Sequence, residues 1–504
     1  MNAASPRPVA AIVEERVALV TALLAFATAL LVRVGSQDFA LDDAWIHLSY
    51  AKSLRSGEGF SYNPHDSALG STSPLWVLVL AVWPIDRAPV LSVQLLGALL
   101  HAITAWTGAR LALVVAAERA SVARPVPLAS VTALAGTLIA AWPPLLAASV
   151  SGMEVSLTAA LILGTIVNCC ENRRLAATGL AALAGLARPE ASVTIAVFAL
   201  WRAAHRRSAA EGWPVLGLGL GGLMWATVNR LGGGYWLPNT LAIKGQFGDP
   251  ASLVYVLDEV LVWEPWLVSI TGAILFAVGL TVGWRPGPRD ASGLGVAWLA
   301  TVLAIAWSRQ LHPGVEFYER RYFVIVSALP CVAIALALVR LRVVLAIGLI
   351  VPLVGMLGWQ SQASIRALRG WELDTRMLHT LPAHYLAENL PSDARIAVEG
   401  AGAARYHTPR SMTVVDIIGL NHNRIARAPS PTDRMCELLA TEPTHLMIPD
   451  NALAPMRAAF ELDAIQRFED PAFTQVRPSH PVTVHLFAVR AVRPAWQRRC
   501  ADER

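Results

Sequence analysis

The chain has 504 residues, of which 55% are hydrophobic and only 15% charged, with a mean hydropathy of +0.48. Soluble domains carry about 25% charged residues, so a soluble cytosolic enzyme is excluded. Charge is also uneven: 33 of the 144 residues from Ser361 to Arg504 are Asp, Glu, Lys or Arg, against 44 of the 360 before them. A membrane-embedded body followed by a soluble tail fits this split, and a single-anchor protein does not.

In chain order, the first apolar run, Arg16 to Val34, has no small-residue cleavage site after it and reads as a signal-anchor helix. A polar stretch, Gly35 to Thr72, follows. The apolar run from Pro74 to Ile85 is too short to span a bilayer and fits an interfacial helix. Further spans are expected near 89–117, 125–143, 154–170, 175–187, 191–204, 213–230, 266–284, 292–308, 322–339 and 343–359, about eleven transmembrane helices in all.

With the N-terminus cytoplasmic, every inside loop then carries arginine: Arg119 and Arg124, Arg173 and Arg174, Arg202 with Arg206 and Arg207, Arg285 and Arg289, Arg340 and Arg342. The net charge of +5 is explained by this sorting and calls for no nucleic acid. The odd number of spans places the tail outside. There, β-branched runs such as Ile396 to Val398 and Val482 to Val489 alternate with helical stretches such as Met377 to Asn389, an α/β pattern. The expected organisation is a transmembrane body over 1–359, with a first outer loop at 35–88, and an extracytoplasmic domain over 360–504. Of the five cysteines, three sit in apolar stretches, and Cys436 and Cys500 can pair only if the tail is extracytoplasmic, a weak signal from two cysteines alone.

Acids, Asn, Lys and aromatics gather on the outer loops, and charged groups near a bilayer tend to line a cavity. The first such loop reads LDDAWIHLSYAKSLRSGEGFSYNP from Leu41 to Pro64 and opens a helix over Ala44 to Ser56. Asp42 and Asp43 are candidates for general-base chemistry, with capping of that helix as the rival role. Lys244, Arg320 and Arg321 are candidate ligand-binding cations on the outer loops, with headgroup contact the rival for the two arginines and a solvent-facing role for Lys244. His47, Glu154, Arg188, Glu190, Asn239 and Tyr322 are candidate substrate contacts. Helix-dipole pairing competes for Glu154 and Glu190, capping for Asn239, and a plain polar face for His47. His312, Glu316 and Glu319 are spaced too loosely for a metal site, so no cofactor is expected, although a divalent metal stays open.

The Asp-Asp pair, SYAKSLRSGEGFSYNP, STSPLWVLVLAV, SGMEVSL, GLARPEA, YWLPNTLAIKG, ERRYFVIVSALP and VVDIIGLNH occur in one order along most of the chain. Together they resemble the GT-C superfamily of polytopic glycosyltransferases, and most nearly the bacterial family typified by the terminal β-(1→2) arabinofuranosyltransferase of the cell wall. Trp45 and His47 depart from that family's pattern, as does the SALGSTSP stretch, Ser67 to Pro74.

The resemblance implies a GT-C-like helical body and a sugar donor linked to polyprenyl phosphate. It also implies an envelope glycan or glycolipid acceptor and inverting transfer at the outer face of the plasma membrane. On that reading Asp42 is the base, and Asp43 is the alternative base or its orienting partner. A polyprenyl-lipid flippase and a GT-C enzyme acting on protein or lipid A are the alternatives.

Overall fold

The computed structural model describes residues 7–502 apart from 65, 67, 121–127, 245–247, 249, 256–289, 309–320, 340, 342 and 471–482. The chain divides into two compact units. One comprises Met1–Gly35, Val93–Met224 and Gln246–Arg366; the other comprises Ser36–Ser92, Trp225–Gly245 and Ala367–Arg504.

The first unit is helical. Among the described residues, four helical runs are long and apolar enough to cross a membrane: Ile12–Arg33, Pro89–Ala117, Asp290–Ser308 and the stretch Leu345–Asn389, of which the first part is apolar. Helices Val155–Cys170 and Arg174–Ala187 occupy the expected spans at 154–170 and 175–187, and the span expected at 266–284 lies outside the described residues. The run expected at 125–143 is a bent pair, Leu128–Ala141 and Pro143–Ser149, with a 60° break. Pro144 has no N–H, so it cannot satisfy the Ala140 carbonyl one turn earlier. Two side chains from neighbouring helices approach that oxygen instead, His101 Nε2 and Thr28 Oγ, each at 3.2 Å. A break that would leave a buried acceptor orphaned is thus closed by polar groups placed for it.

The second unit is built on a five-stranded sheet of order β2-β1-β3-β5-β4, with β1 Arg395–Val398, β2 Thr413–Asp416, β3 His445–Pro449, β4 Phe460–Glu469 and β5 Thr483–Val492. The first three strands are parallel, joined by helical crossovers; β5 pairs antiparallel with β3 and with β4. Ala397, Val415, Leu446, Ile448, Phe460 and Phe487 from the strands pack with Ile425, Met435 and Leu438 from the crossover helices into one apolar core. The α/β expectation for the tail is met in β1 and β5.

The segment after the first helix folds in this same unit. Helix Asp43–Arg55 buries nine of its thirteen residues, including Trp45, His47 and Tyr50, and is therefore not amphipathic. Asn63 lies beside β2 and pairs with Val414 as a neighbouring strand would: its Nδ2 donates to the Val414 carbonyl at 2.9 Å, and its Oδ1 accepts the Val414 N–H at 3.0 Å.

Cys436 and Cys500 form a disulfide 64 residues apart with Cα atoms 5.4 Å from each other, tying helix Pro431–Ala440 to helix Pro494–Asp502. Closing a loop of that length restricts the unfolded chain by about 4 kcal/mol. Cys436→Ser should therefore lower the unfolding temperature of the purified protein, and reductant should have little further effect on that variant.

Candidate functional site

Three separate stretches converge in the first unit. Glu154 immediately precedes helix Val155–Cys170, Glu190 lies in the first turn of helix Pro189–Arg206, and Arg321 and Tyr322 come from the ERRYF segment. Arg188 owes its position to Pro189, which disfavours helical geometry in the residue before it. Arg188 is accordingly extended (φ −155°, ψ 134°), ending helix Arg174–Ala187. Its guanidinium meets Glu154 (Nη1 to Oε1, 3.0 Å) and Glu190 (Nε to Oε2, 3.4 Å). The same group lies 4.9 Å from the centre of the Tyr322 ring, and the Arg321 guanidinium lies 5.1 Å from it while Arg321 Nη2 donates to the Tyr322 hydroxyl at 3.3 Å.

All five residues are buried, each at 8% exposure or less. Two guanidiniums flank one aromatic ring, and one of them also meets two carboxylates. Both acids stand at helix N-termini, where the dipole favours them. Charged groups gathered in this way among apolar helices are candidates for function.

The second unit holds the first-loop candidates. Asp42 and Asp43 are half-buried at the start of helix Asp43–Arg55. Asp42 caps a helix, though not its own. Its Oδ2 accepts the Gly402 N–H at 2.7 Å and its Oδ1 the Ala403 N–H at 2.8 Å, in the first turn of helix Ala401–His407, directly after β1. In parallel sheets of this order the turn after the first strand is where a ligand phosphate is commonly held; here a carboxylate of the chain fills it.

His47 Nδ1 lies 3.0 Å from Ser71 Oγ, within the buried helix. Asn239 Nδ2 donates to Asn423 Oδ1 at 2.9 Å and to the Leu420 carbonyl at 3.3 Å, holding the YWLPN segment to the VVDIIGLNH loop. Arg320, the side chain of Lys244 and the stretch His312 to Glu319 lie outside the described residues.

That loop is organised by Asp416, which is fully buried at the end of β2. Its Oδ1 accepts the N–H groups of Ile418 (3.0 Å) and Gly419 (3.1 Å), and its Oδ2 those of Asn421, from the backbone (3.0 Å) and the side chain (2.9 Å). Gly419 has φ +93°, and a Cβ there would meet the Ala426 nitrogen at 2.7 Å, so the turn requires glycine. Asn421 Oδ1 in turn accepts the Tyr50 hydroxyl at 2.9 Å. The motif is thus a packed strand and turn. Burial pushes the Asp416 carboxyl up to about 6, against the pull of these hydrogen bonds.

Two residues absent from the sequence-level candidates belong here. Asp38 is buried, accepts the Phe39 N–H at 2.7 Å and the Trp45 indole N–H at 3.0 Å, and is raised by burial. Arg405 is buried and donates to Asn63 and to the carbonyls of Met412, Thr408 and Pro409. Trp45, one of the departures from the pattern the sequence resembles, is the signal that leads to Asp38. Nothing comparable marks Arg405. Among the described residues no three His, Cys, Asp or Glu side chains gather as metal ligands.

A family described as Domain of unknown function (DUF8728) matches residues 367–490. No curated protein matches the sequence at a significant level. Among solved structures, the chain is similar to apo ArnT from Cupriavidus metallidurans, with a TM-score of 0.58 and 13% identity, covering 92% of this chain and 97% of that one. It also aligns with arabinofuranosyltransferase AftD from Mycobacteria at a TM-score of 0.47 and 16% identity, over 97% of this chain and 40% of AftD. The likeness to ArnT runs along nearly the full length of both chains and shows that this chain shares its fold.

Proposed function

We propose that this chain is an inverting glycosyltransferase. It moves a pentose or hexose from a polyprenyl-phosphate carrier to an envelope glycan or glycolipid at the outer face of the plasma membrane. The observation that carries the reading is the convergence of Glu154, Arg188, Glu190, Arg321 and Tyr322 in one buried cluster within a chain that shares the fold of ArnT.

A polyprenyl-phosphate sugar already carries its leaving group, so the protein needs to deprotonate an acceptor hydroxyl and stabilise the departing phosphate. The Asp42–Asp43 pair supplies the base. Arg321, with Lys244 and Arg320, supplies positive charge for the phosphate. Glu154 and Glu190 hold the Arg188 guanidinium in place beside Tyr322. The disulfide between Cys436 and Cys500 supports the extracytoplasmic placement of the C-terminal segment, since such bonds persist in oxidising compartments.

The test is transfer by the purified full-length protein from a panel of synthetic polyprenyl-phosphate pentoses and hexoses to envelope glycan fragments. Arg321→Ala should raise KM for the donor and lower kcat, by about 10–100-fold in kcat/KM for the loss of one charged contact. Absence of transfer from every donor by folded wild-type protein sinks the reading.

A further inference from the structure

We infer that a groove in the first unit, bounded by helices Leu128–Ala141, Ala328–Leu338 and Val343–Thr375, binds one acyl chain of a bilayer phospholipid, with the Thr137 and Ser361 hydroxyls donating to its ester carbonyls. The site stands on geometry and does not depend on sugar transfer.

The groove has a volume of about 460 Å³, that of an ordinary small-molecule site. Leu134 and Leu138 form one wall, Leu338 a second, and Ile350, Leu353 and Leu357 a third. Val354 on the rim is 59% exposed, so the groove opens sideways from the helices. Gly358 also lines it, and a Cβ there would meet no atom within 4 Å. Glycine weakens a helix interior; here the missing side chain widens the groove.

Two hydroxyls interrupt the apolar lining, Thr137 on one wall and Ser361 on another. Elsewhere in the helical body such hydroxyls are closed by a carbonyl one turn back: Thr104 bonds to Leu100 at 2.8 Å, Thr132 to Leu128 at 2.9 Å and Thr165 to Leu161 at 2.7 Å. Thr137 and Ser361 make no side-chain hydrogen bond among the described residues. A hydroxyl facing hydrocarbon is costly unless the ligand brings an acceptor, and an ester carbonyl is an acceptor only.

The length selects the occupant. From Ile350 to Ser361 the helix rises about 16 Å at about 1.5 Å per residue, close to half of a hydrocarbon core about 30 Å thick. The apolar run of this helix ends at Trp359, and Gln360, Ser361 and Gln362 follow. An exposed tryptophan beside the first polar residues marks the depth of the membrane interface. Ser361 thus stands where lipid esters lie, and Ile350 stands near the depth at which a chain of one leaflet ends. A long polyprenyl chain would overrun the groove.

The test uses the full-length protein in detergent, stripped of lipid. The probes are dioleoyl phosphatidylglycerol, its ether-linked analogue and undecaprenyl phosphate, read by native mass spectrometry and thermal unfolding. The diester lipid should remain bound and raise the unfolding temperature. The ether analogue, which lacks the carbonyls, should bind about 2–10-fold more weakly, the effect of one hydrogen bond. Ser361→Ala should weaken the diester by a similar factor and leave the ether lipid unchanged. Gly358→Leu, which puts a side chain into the groove, should abolish both the bound lipid and the thermal shift; Thr137→Leu fills the groove from another wall and carries the test should Gly358→Leu fail to fold. Lipid retention and a thermal shift equal to wild type in the filled variants would place the lipid elsewhere and overturn the site. Undecaprenyl phosphate retained in preference to the phospholipid, and lost in Gly358→Leu, would overturn the choice of occupant.

Discussion

Arg188→Ala is expected to destabilise the protein by about 3–5 kcal/mol, the usual cost of removing one member of a buried charge network, and to abolish sugar transfer. Glu154 and Glu190 both use this guanidinium, and Tyr322 packs against it. Arg188→Lys should recover little, because a compact ammonium cannot reproduce a planar fork that serves two carboxylates and an aromatic face together.

A triple replacement, Arg188→Met with Glu154→Gln and Glu190→Gln, separates structure from chemistry. It removes the Arg188 charge together with both of its carboxylate partners and leaves Arg321 buried without them, so only part of the stability should return, whereas transfer should not. Thermal unfolding in detergent and donor turnover are the two measurements. A triple variant that transfers sugar at the wild-type rate would mean that the cluster is structural only.

The second large effect is expected at Asp416. Asp416→Ala removes the acceptor for four N–H groups in a loop of six residues. The Gly419 N–H keeps the Asp416 carbonyl and Ile418 is exposed, so at about 1–3 kcal/mol for each buried donor left unsatisfied a loss of about 2–4 kcal/mol follows from the two Asn421 donors. The Asn421 contact to Tyr50 should loosen with it.

The carboxyl also gives the protein a pH signature. Its folded pKa, about 6, lies above the value of about 3.9 expected in the unfolded chain. The folded state therefore binds the proton more tightly. This group's contribution to stability is complete below pH about 4 and is lost as the pH rises through about 6. Asp416→Asn should be less stable than wild type at pH 4 and should show a flatter stability profile between pH 4 and pH 6. An equally steep profile in the variant would assign the pH dependence to another group.

Much of the helical body is visible in the residues themselves. Apolar runs bounded by arginine place helices such as Val155–Cys170 and Arg174–Ala187, and Arg188-Pro189-Glu190 announces a helix break with charges on both sides of it. The buried cluster was legible as a set of candidates because acids and arginines beside apolar runs are conspicuous.

The membership of the second unit was not legible in the same way. It shows in hydrogen bonds such as those between Asn63 and Val414, Tyr50 and Asn421, and Asp42 and Gly402, separated by 351, 371 and 360 residues. Such pairs leave no periodic trace, because an Asn, Tyr or Asp looks the same in sequence whichever backbone it meets. For the same reason Asp42 reads as a cap for the helix it precedes, when its partner is a helix near the other end of the chain.

The amide of Asn63 has a consequence for how the chain is made. A terminal strand with open N–H and C=O groups invites another polypeptide to add to it, and long unprotected edges lead to aggregation. Strand β2 is the terminal strand on that side, and the group that closes it at Val414 comes from a segment translated 351 residues earlier. The guard is synthesised before the edge it guards, so the nascent sheet finds its blocking partner waiting when β2 is completed. Asn63→Ala should therefore reveal itself first in yield, as clumped protein recovered during expression, before any change in the activity of the fraction that folds.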